Sequence, residues 1–416
     1  MKAALLIALL ACPRALAAQD TTQAGVRVGI TYAPGTRPSL VVLGPGASDS
    51  LHAMLQRDLD QSDRFEVTAR PPAAGAPDAA SLTAIGVAYG VFLSPAMGGR
   101  VTVTVVDARA GSEVMHANLG VAPLARGSVH ALADEIVRAI TGQAGIANSA
   151  LLFVRNGRIM RVDADGASAD QLRTAGFPSL SPAWHPGGRR FAYTAYVRSG
   201  QPIVVQDFAG SRQMVPGSED GLNITPSFSP DGRKVAFAHG TEAGMDIYLS
   251  DLAGGPQRLT AGRGADNLSP VWSPDGTRIA FVSNRARSPQ LYVMSADGTG
   301  QEVLARFDFG STGTTSAPSW SPEGSLIAFH RDVGGVPQVF VLDVGARSVR
   351  QLTGSSRNED PAWAPDGRHL VFVSSRSGTR ELWVMDLDTG RLRQLTRTGG
   401  ARLPAWSPRL TSSEGL

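Results

Sequence analysis

Carboxylates and histidines are the residues of this chain that could do chemistry, and their spacing decides what kind. Asp231-Gly232, Asp275-Gly276, Glu323-Gly324 and Asp366-Gly367 recur at regular intervals. A ring of acids could share protons or gather a metal ion. Each, however, stands directly before a glycine that supplies the φ > 0 of a tight turn, so the column reads as turn formers. Asp220, Asp266, Glu359 and Asp360 fall in loops, and nothing singles out two of them as the carboxylate pair of a glycosidase. His185, His239, His330 and His369 occupy different columns of the repeat, which leaves a symmetric metal site unsupported. His52, His116 and His130 stand alone. The G-x-S-x-G elbow of a propeller peptidase's hydrolase domain is absent. No catalytic, metal or cofactor site is expected, and a propeller-based hydrolase is the rival reading.

The elements that carry these residues are repeats. SPAWHPGGRRFAY, TPSFSPDGRKVAF, SPVWSPDGTRIAF, APSWSPEGSLIAF and DPAWAPDGRHLVF are copies of one pattern, and LPAWSP is a truncated sixth. Their prolines are Pro182, Pro226, Pro270, Pro318, Pro361 and Pro404, at intervals of 44, 44, 48, 43 and 43 residues. That period predicts a β-propeller of four-stranded blades. Proline is expected at the start of the first strand of each blade, where a missing N–H costs least. Two residues on, Trp184, Phe228, Trp272, Trp320, Trp363 and Trp406 are expected to anchor one blade on the next. Six third-strand units, beginning at Ile159, Ile203, Ile247, Leu291, Val339 and Leu382, predict six blades. The first unit lacks a P-x-W strand and the last P-x-W strand lacks a blade. Pairing the C-terminal strand with residues 150–155 would complete the ring and remove its edges.

Ahead of the ring, residues 1–18 read as a secretory signal, with Lys2, an apolar run over residues 3–11 and the A-x-A site Ala15-Leu16-Ala17. The mature protein is therefore expected outside the cytoplasm. Cys12, the single cysteine, follows Leu9-Leu10-Ala11 in the manner of a lipobox, and a lipid anchor there is the alternative. The net charge of +3 falls to +1 once Lys2 and Arg14 leave with the signal, and the arginines are scattered. A basic stripe for nucleic acid is thereby excluded.

Residues 19–142 predict a small α/β domain. Strands are expected at 26–30, 39–43, 64–68, 85–93, 100–107 and 114–119, with residues 71–80 a loop by composition. One helix carries Leu51, Met54, Leu55 and Leu59 on one face; a second, over 129–140, has Ser128 as its cap. A linker over 142–149 leads to the propeller at 150–410. The fold class is mainly β, a six-bladed β-propeller with a small N-terminal α/β domain.

A signal, a small α/β domain, six such repeats, the stretch AIGVAYGVFL…VTVTVVDARAGSEV and a terminal LPAWSP together resemble the TolB family of the bacterial Tol-Pal envelope system. The resemblance covers nearly the whole mature chain. It implies a monomeric, non-catalytic periplasmic scaffold without cofactors, serving envelope integrity and cell division. A peptidoglycan-associated lipoprotein of the Pal type would bind at one mouth of the propeller. A TolA-like protein would meet the N-terminal segment, here Val26, Arg27, Val28 and Ile30. The family carries an acidic residue soon after that strand, where this chain has Thr31-Tyr32. The loops matching the lipoprotein site hold Glu219, Asp220 and Asn223; Arg263, Asp266 and Asn267; and Arg357, Asn358, Glu359 and Asp360. These loops are expected to ring the channel mouth and offer hydrogen bonds to a docked partner. The longer loop at 307–315 accounts for the 48-residue interval and would reshape that surface. A similar propeller on a surface lipoprotein with another partner is a further alternative.

Overall fold

The computed structural model describes residues 37–44, 49–68, 79–94, 97–120, 125–262, 264–305 and 313–410. The signal at 1–18 with Cys12, the segment Val26, Arg27, Val28 and Ile30, Arg263 and residues 307–312 lie outside these.

The N-terminal unit runs β1 (Ser39–Leu43), α1 (Asp49–Gln61), β2 (Glu66–Thr68), α2 (Ala79–Ala84), β3 (Tyr89–Leu93), β4 (Arg100–Asp107), β5 (Ser112–Gly120) and α3 (Arg126–Thr141). The strands form one sheet ordered β2-β1-β3-β4-β5, with β1 parallel to both neighbours and β3-β4-β5 an antiparallel meander. Alternation along β1 and β4 sends Leu40, Val42, Val101, Val103 and Val105 to one face. There they meet Leu51, Met54, Leu55 and Leu59 of α1 and Val129, Leu132 and Ile136 of α3, all buried. The other face carries Val41, Leu43 and Phe92, and α2 covers it with the fully buried Leu82. This short helix corrects the strand expected at 85–93. The chain leaves α2 through a turn at Ile85-Gly86 and only then becomes extended. Similarly, α3 begins at Arg126 behind Ala125, with no side-chain cap, so Ser128 is already inside the helix.

Six four-stranded sheets follow, each an antiparallel blade. Their inner strands are Ser179–Trp184, Asn223–Phe228, Asn267–Trp272, Thr315–Trp320, Asn358–Trp363 and Ala401–Trp406. The last of these pairs antiparallel with Ala150–Arg155, so the final strand of the described chain completes the blade that the first propeller strands begin. The aromatic column is buried in every copy. Trp272 shows its use: it packs against Ala236, Ala238 and Ile247 of the preceding blade.

The prolines are not at strand starts. Each is the fourth residue of its six-residue inner strand, and the pairing register slips there in all six blades. The residue just before it is left-handed: Ser181, Thr225, Ser269, Ala317, Asp360 and Leu403 have φ of 50°, 53°, 52°, 49°, 53° and 49°. A bulge is where a mid-strand proline is tolerated, because the ladder is already interrupted. It leaves the three residues ahead of each proline inside the strand rather than in a loop.

Candidate partner-binding face of the propeller

The propeller has two unlike ends. Every inner strand enters from one end, and the first five leave at the other through x-Pro-x-Gly turns, which read Ser-Pro-Asp-Gly at residues 229–232 and 273–276. In these turns the acid holds the backbone: Asp275 accepts from the Ser273 hydroxyl at 2.5 Å and from the Thr277 N–H at 2.9 Å. The Ser273 bond foremost, with the Thr277 donors, lowers the Asp275 carboxyl to about 2. These aspartates are turn braces.

The N-terminal unit sits on that end. Asp63, just past α1, receives the Arg391 guanidinium at 2.9 Å and the fully buried His369 Nε2 at 3.2 Å. The Nδ1 of His369 faces Asp366 at 2.7 Å. Burial alone would depress this imidazole, but Asp366 and then Asp63 reverse the sign and raise it to about 9. Asp366 is held low, its burial outweighed by charged His369. Arg391 also binds Asp60 at 2.7 Å, and Arg368 donates to the Asp63 carbonyl at 3.0 Å. Beside the linker, both carboxylate oxygens of Asp134 accept from the N–H groups of Ala147 and Asn148, at 2.8 and 2.9 Å. Burial pushes Asp134 up to about 6, with those two bonds opposing. His130, Asp163 and Asp165 converge there in a way that could hold a metal. The Arg126 guanidinium already fills that position, 2.7 Å from Asp165 and 3.3 Å from His130 Nε2.

Among the described residues the opposite end is open. It is formed by the loops entering the inner strands and by the hairpins between second and third strands. Asn223, Asn267 and Asn358 open their strands and are fully buried. Their amides are consumed within the protein. Asn223 donates to the carbonyls of Ser218 and Asp220 and meets His239 Nδ1 at 2.7 Å. Asn267 donates to Asp246 and accepts from Arg285, and Asn358 donates to Gln338 and accepts from Arg376. The Cζ atoms of Arg285 and Arg376 lie over Tyr292 and Trp383, 4.9 and 5.0 Å from the ring centroids. The asparagines are therefore strand residues satisfied within the protein, and they set the shape of the loops ahead of them.

Exposed groups remain in these loops. Glu219, Asp220 and Arg357 are exposed. Asp266 is half-buried, its carboxylate taking the Met245 N–H and the Asn284 amide. Glu359 is gripped by Arg380 at 2.7 Å and Arg357 at 3.5 Å. Asp360 is the one charged member of the left-handed ring and lines a central channel of about 750 Å³. Burial raises its carboxyl, with the nearby His330 opposing. Its own N–H donates to His330 Nδ1 at 3.0 Å. Sequence reasoning missed His239, Arg285 and Arg376 as supports of these loops. The signal was present in the repeated Val-Ser-x-Arg endings of strand two, at 282–285 and 373–376.

A closed six-bladed propeller, braced at one end by its own α/β unit and open at the other, defines a two-domain propeller protein. Residues 137–311 and 305–412 match PD40, the TolB beta propeller domain, and the chain belongs to the TolB family. A Tol-Pal system protein TolB of Acinetobacter baylyi is 30% identical over 221 residues, 49% of this chain and 52% of that protein. One of Thioalkalivibrio sulfidiphilus is 33% identical over 240 residues, 52% of this chain and 54% of its own. The chain thus spans about half the length of the curated relatives it matches. The crystal structure of TolB from Acinetobacter baumannii superposes with a TM-score of 0.80 at 27% identity, over 91% of this chain and 98% of that one. A chain from a nidogen/laminin complex, 13% identical with a TM-score of 0.52, covers 63% of this chain and is itself covered in full; it shares the fold alone. Among the described residues no helix is long and apolar enough to cross a membrane.

Proposed function

We propose that this chain is a non-catalytic scaffold of a Tol-Pal system, exported by its signal to the periplasm, and that it docks a Pal-type lipoprotein on the open face of the propeller. One observation carries the reading. The Asp-Gly end is covered by the chain's own α/β unit, whereas the opposite mouth presents Glu219, Asp220 and Arg357 to solvent on loops held rigid from below. Rigid loops that expose polar groups are suited to binding, because little ordering entropy remains to be lost. A non-catalytic role is supported by the engagement of two of the mouth's carboxylates, Glu359 and Asp266. Glu359 is paired with two arginines and Asp266 with an amide and a backbone donor, so neither is free to act as acid or base. Contact with a TolA-like protein through Val26, Arg27, Val28 and Ile30 belongs to the same reading.

The test is capture of the soluble ectodomain of the same organism's Pal-type lipoprotein by the purified mature chain. Binding should be retained with the α/β unit in place and weakened by joint Glu219→Ala, Asp220→Ala and Arg357→Ala substitution. No measurable binding by the native chain would end the proposal. Mass spectrometry of the mature N-terminus separates a free chain starting near Ala18 from one acylated at Cys12.

A further inference from the structure

Five of the eight exposed large apolar side chains among the described residues lie on the open face: Phe177, Val197, Leu222, Val333 and Val336. Three of them form one ridge across the first and second blades. Phe177, 61% exposed, precedes the first inner strand, and its N–H donates to the Tyr196 carbonyl at 3.0 Å. Tyr196 opens the hairpin that carries Val197. The far side of that hairpin, Gln201, donates to the Gly221 carbonyl at 3.0 Å, next to Leu222. Leu222 in turn accepts from the Gly240 N–H at 2.8 Å. Four segments are thus stitched by backbone bonds, so the apolar side chains are held up on a stiff base rather than on loose loops.

The charges around the ridge are ordered. Arg158 lies over the Phe177 ring, 5.1 Å from its centroid, and Arg198 follows Val197; both are exposed, and neither is ion-paired among the described residues. At the Leu222 end stand the exposed acids Glu219 and Asp220. An exposed aromatic beside unpaired arginines is the composition of an interface core, since both residue types are enriched where binding energy concentrates. From this juxtaposition we infer that the ridge is the principal docking site for an acidic protein surface. That surface carries an apolar pocket that receives Phe177, carboxylates that meet Arg158 and Arg198, and basic groups that face Asp220. The polarity along the ridge fixes the orientation of the partner, because a reversed pose would set like charges together. The inference rests on the proposed lipoprotein reading and places its contact on blades one and two, away from the paired charges of Glu359.

The experiment measures binding of the Pal-type ectodomain to the full mature chain by surface plasmon resonance at two salt concentrations. Phe177→Ala should weaken binding at least tenfold with unchanged thermal unfolding, since the ring is mostly exposed. Joint Arg158→Glu and Arg198→Glu should slow association and flatten its salt dependence. Binding by the native chain that survives both changes but falls with Arg357→Ala would overturn the ridge while leaving the lipoprotein reading intact. Absence of binding by the native chain overturns that reading first. Loss of a self-associated species in sedimentation on Phe177→Ala would assign the ridge to a second copy and overturn the acidic partner.

Discussion

The two ends of this propeller use the same residue types to opposite purposes. At the covered end, the buried side chains of Asp63, Asp366 and His369 and the half-buried Arg391 are drawn from the α/β unit and the propeller and neutralise one another. At the open end, Arg158, Arg198, Glu219 and Asp220 stand in solvent. Buried pairs are strongly destabilising to break, because the partner left behind is an uncompensated charge, whereas exposed charges contribute little to folding. The covered end should therefore govern stability and the open end recognition. Substitutions can separate the two.

The change that defeats both ends is loss of ring closure. Deleting residues 403–416 removes most of the strand that pairs with Ala150–Arg155 and, with it, Trp406, which is packed against Phe153 and Val371. Loss of such a side chain alone costs about 3–5 kcal/mol, and an exposed edge on Ala150–Arg155 invites aggregation. Calorimetry should show a melting temperature lower by roughly 10 °C or more; an unchanged value would mean that the ring does not depend on its last strand.

Next in size is Asp63→Asn. Asparagine accepts the φ of 55° at this position, so the backbone is spared while His369 and Arg391 lose the carboxylate they share. A cost of about 3 kcal/mol is expected in urea unfolding. A cost below about 1 kcal/mol would show that the covered end is no firmer than the open one.

The same cluster sets the pH dependence. His369 is raised to about 9, above its unfolded value near 6.5. The folded state thus keeps a proton that the unfolded chain releases. The stabilisation is complete below about pH 6.5 and is lost as pH rises through 9, in all on the order of 3 kcal/mol. Asp134, raised to about 6 by burial, carries the same sign at lower pH: its ionisation costs stability between about pH 4 and 6. The unfolding free energy from urea titration should fall by that larger amount between pH 6.5 and 9.5 in the native chain and by less in Asp63→Asn, where Asp366 alone still favours the charged imidazole. Equal slopes would remove His369 from the account.

Much of this was legible before any coordinates. The period of 43 to 48 residues, the buried aromatic column and the truncated first and last copies pointed to a closed ring, because each follows from strands that must pack on neighbours. What escaped depends on relations between distant segments. Asp366 looks like its sister turn acids, yet alone among them it meets an imidazole and a second domain. Asn223, Asn267 and Asn358 sat ahead of a proline and so resembled loop residues. Only the bulge at that proline shows that the strand begins three residues earlier and buries them. Phe177 and Val197 are 20 residues apart and carry no repeat signal at all. Composition cannot report exposure.

The smallest effects sharpen the contrast within the open end itself. Asn267→Ala removes donors to Asp246 and to the Met245 carbonyl and takes from Arg285 one of its acceptors, at a buried position. It should cost about 1–3 kcal/mol and weaken partner binding only through the altered loop. Joint Glu219→Ala and Asp220→Ala removes two exposed carboxylates and should change stability by less than about 0.5 kcal/mol, yet lower affinity for the Pal-type ectodomain. Paired measurement of unfolding and binding for both variants distinguishes a support from a contact. If Asn267→Ala left stability untouched while binding fell, the asparagine would be a contact after all. If the acids altered folding but not binding, the open end would be structural. The predicted pattern is the crossed one, since a buried amide is satisfied within the protein and an exposed carboxylate only from outside it.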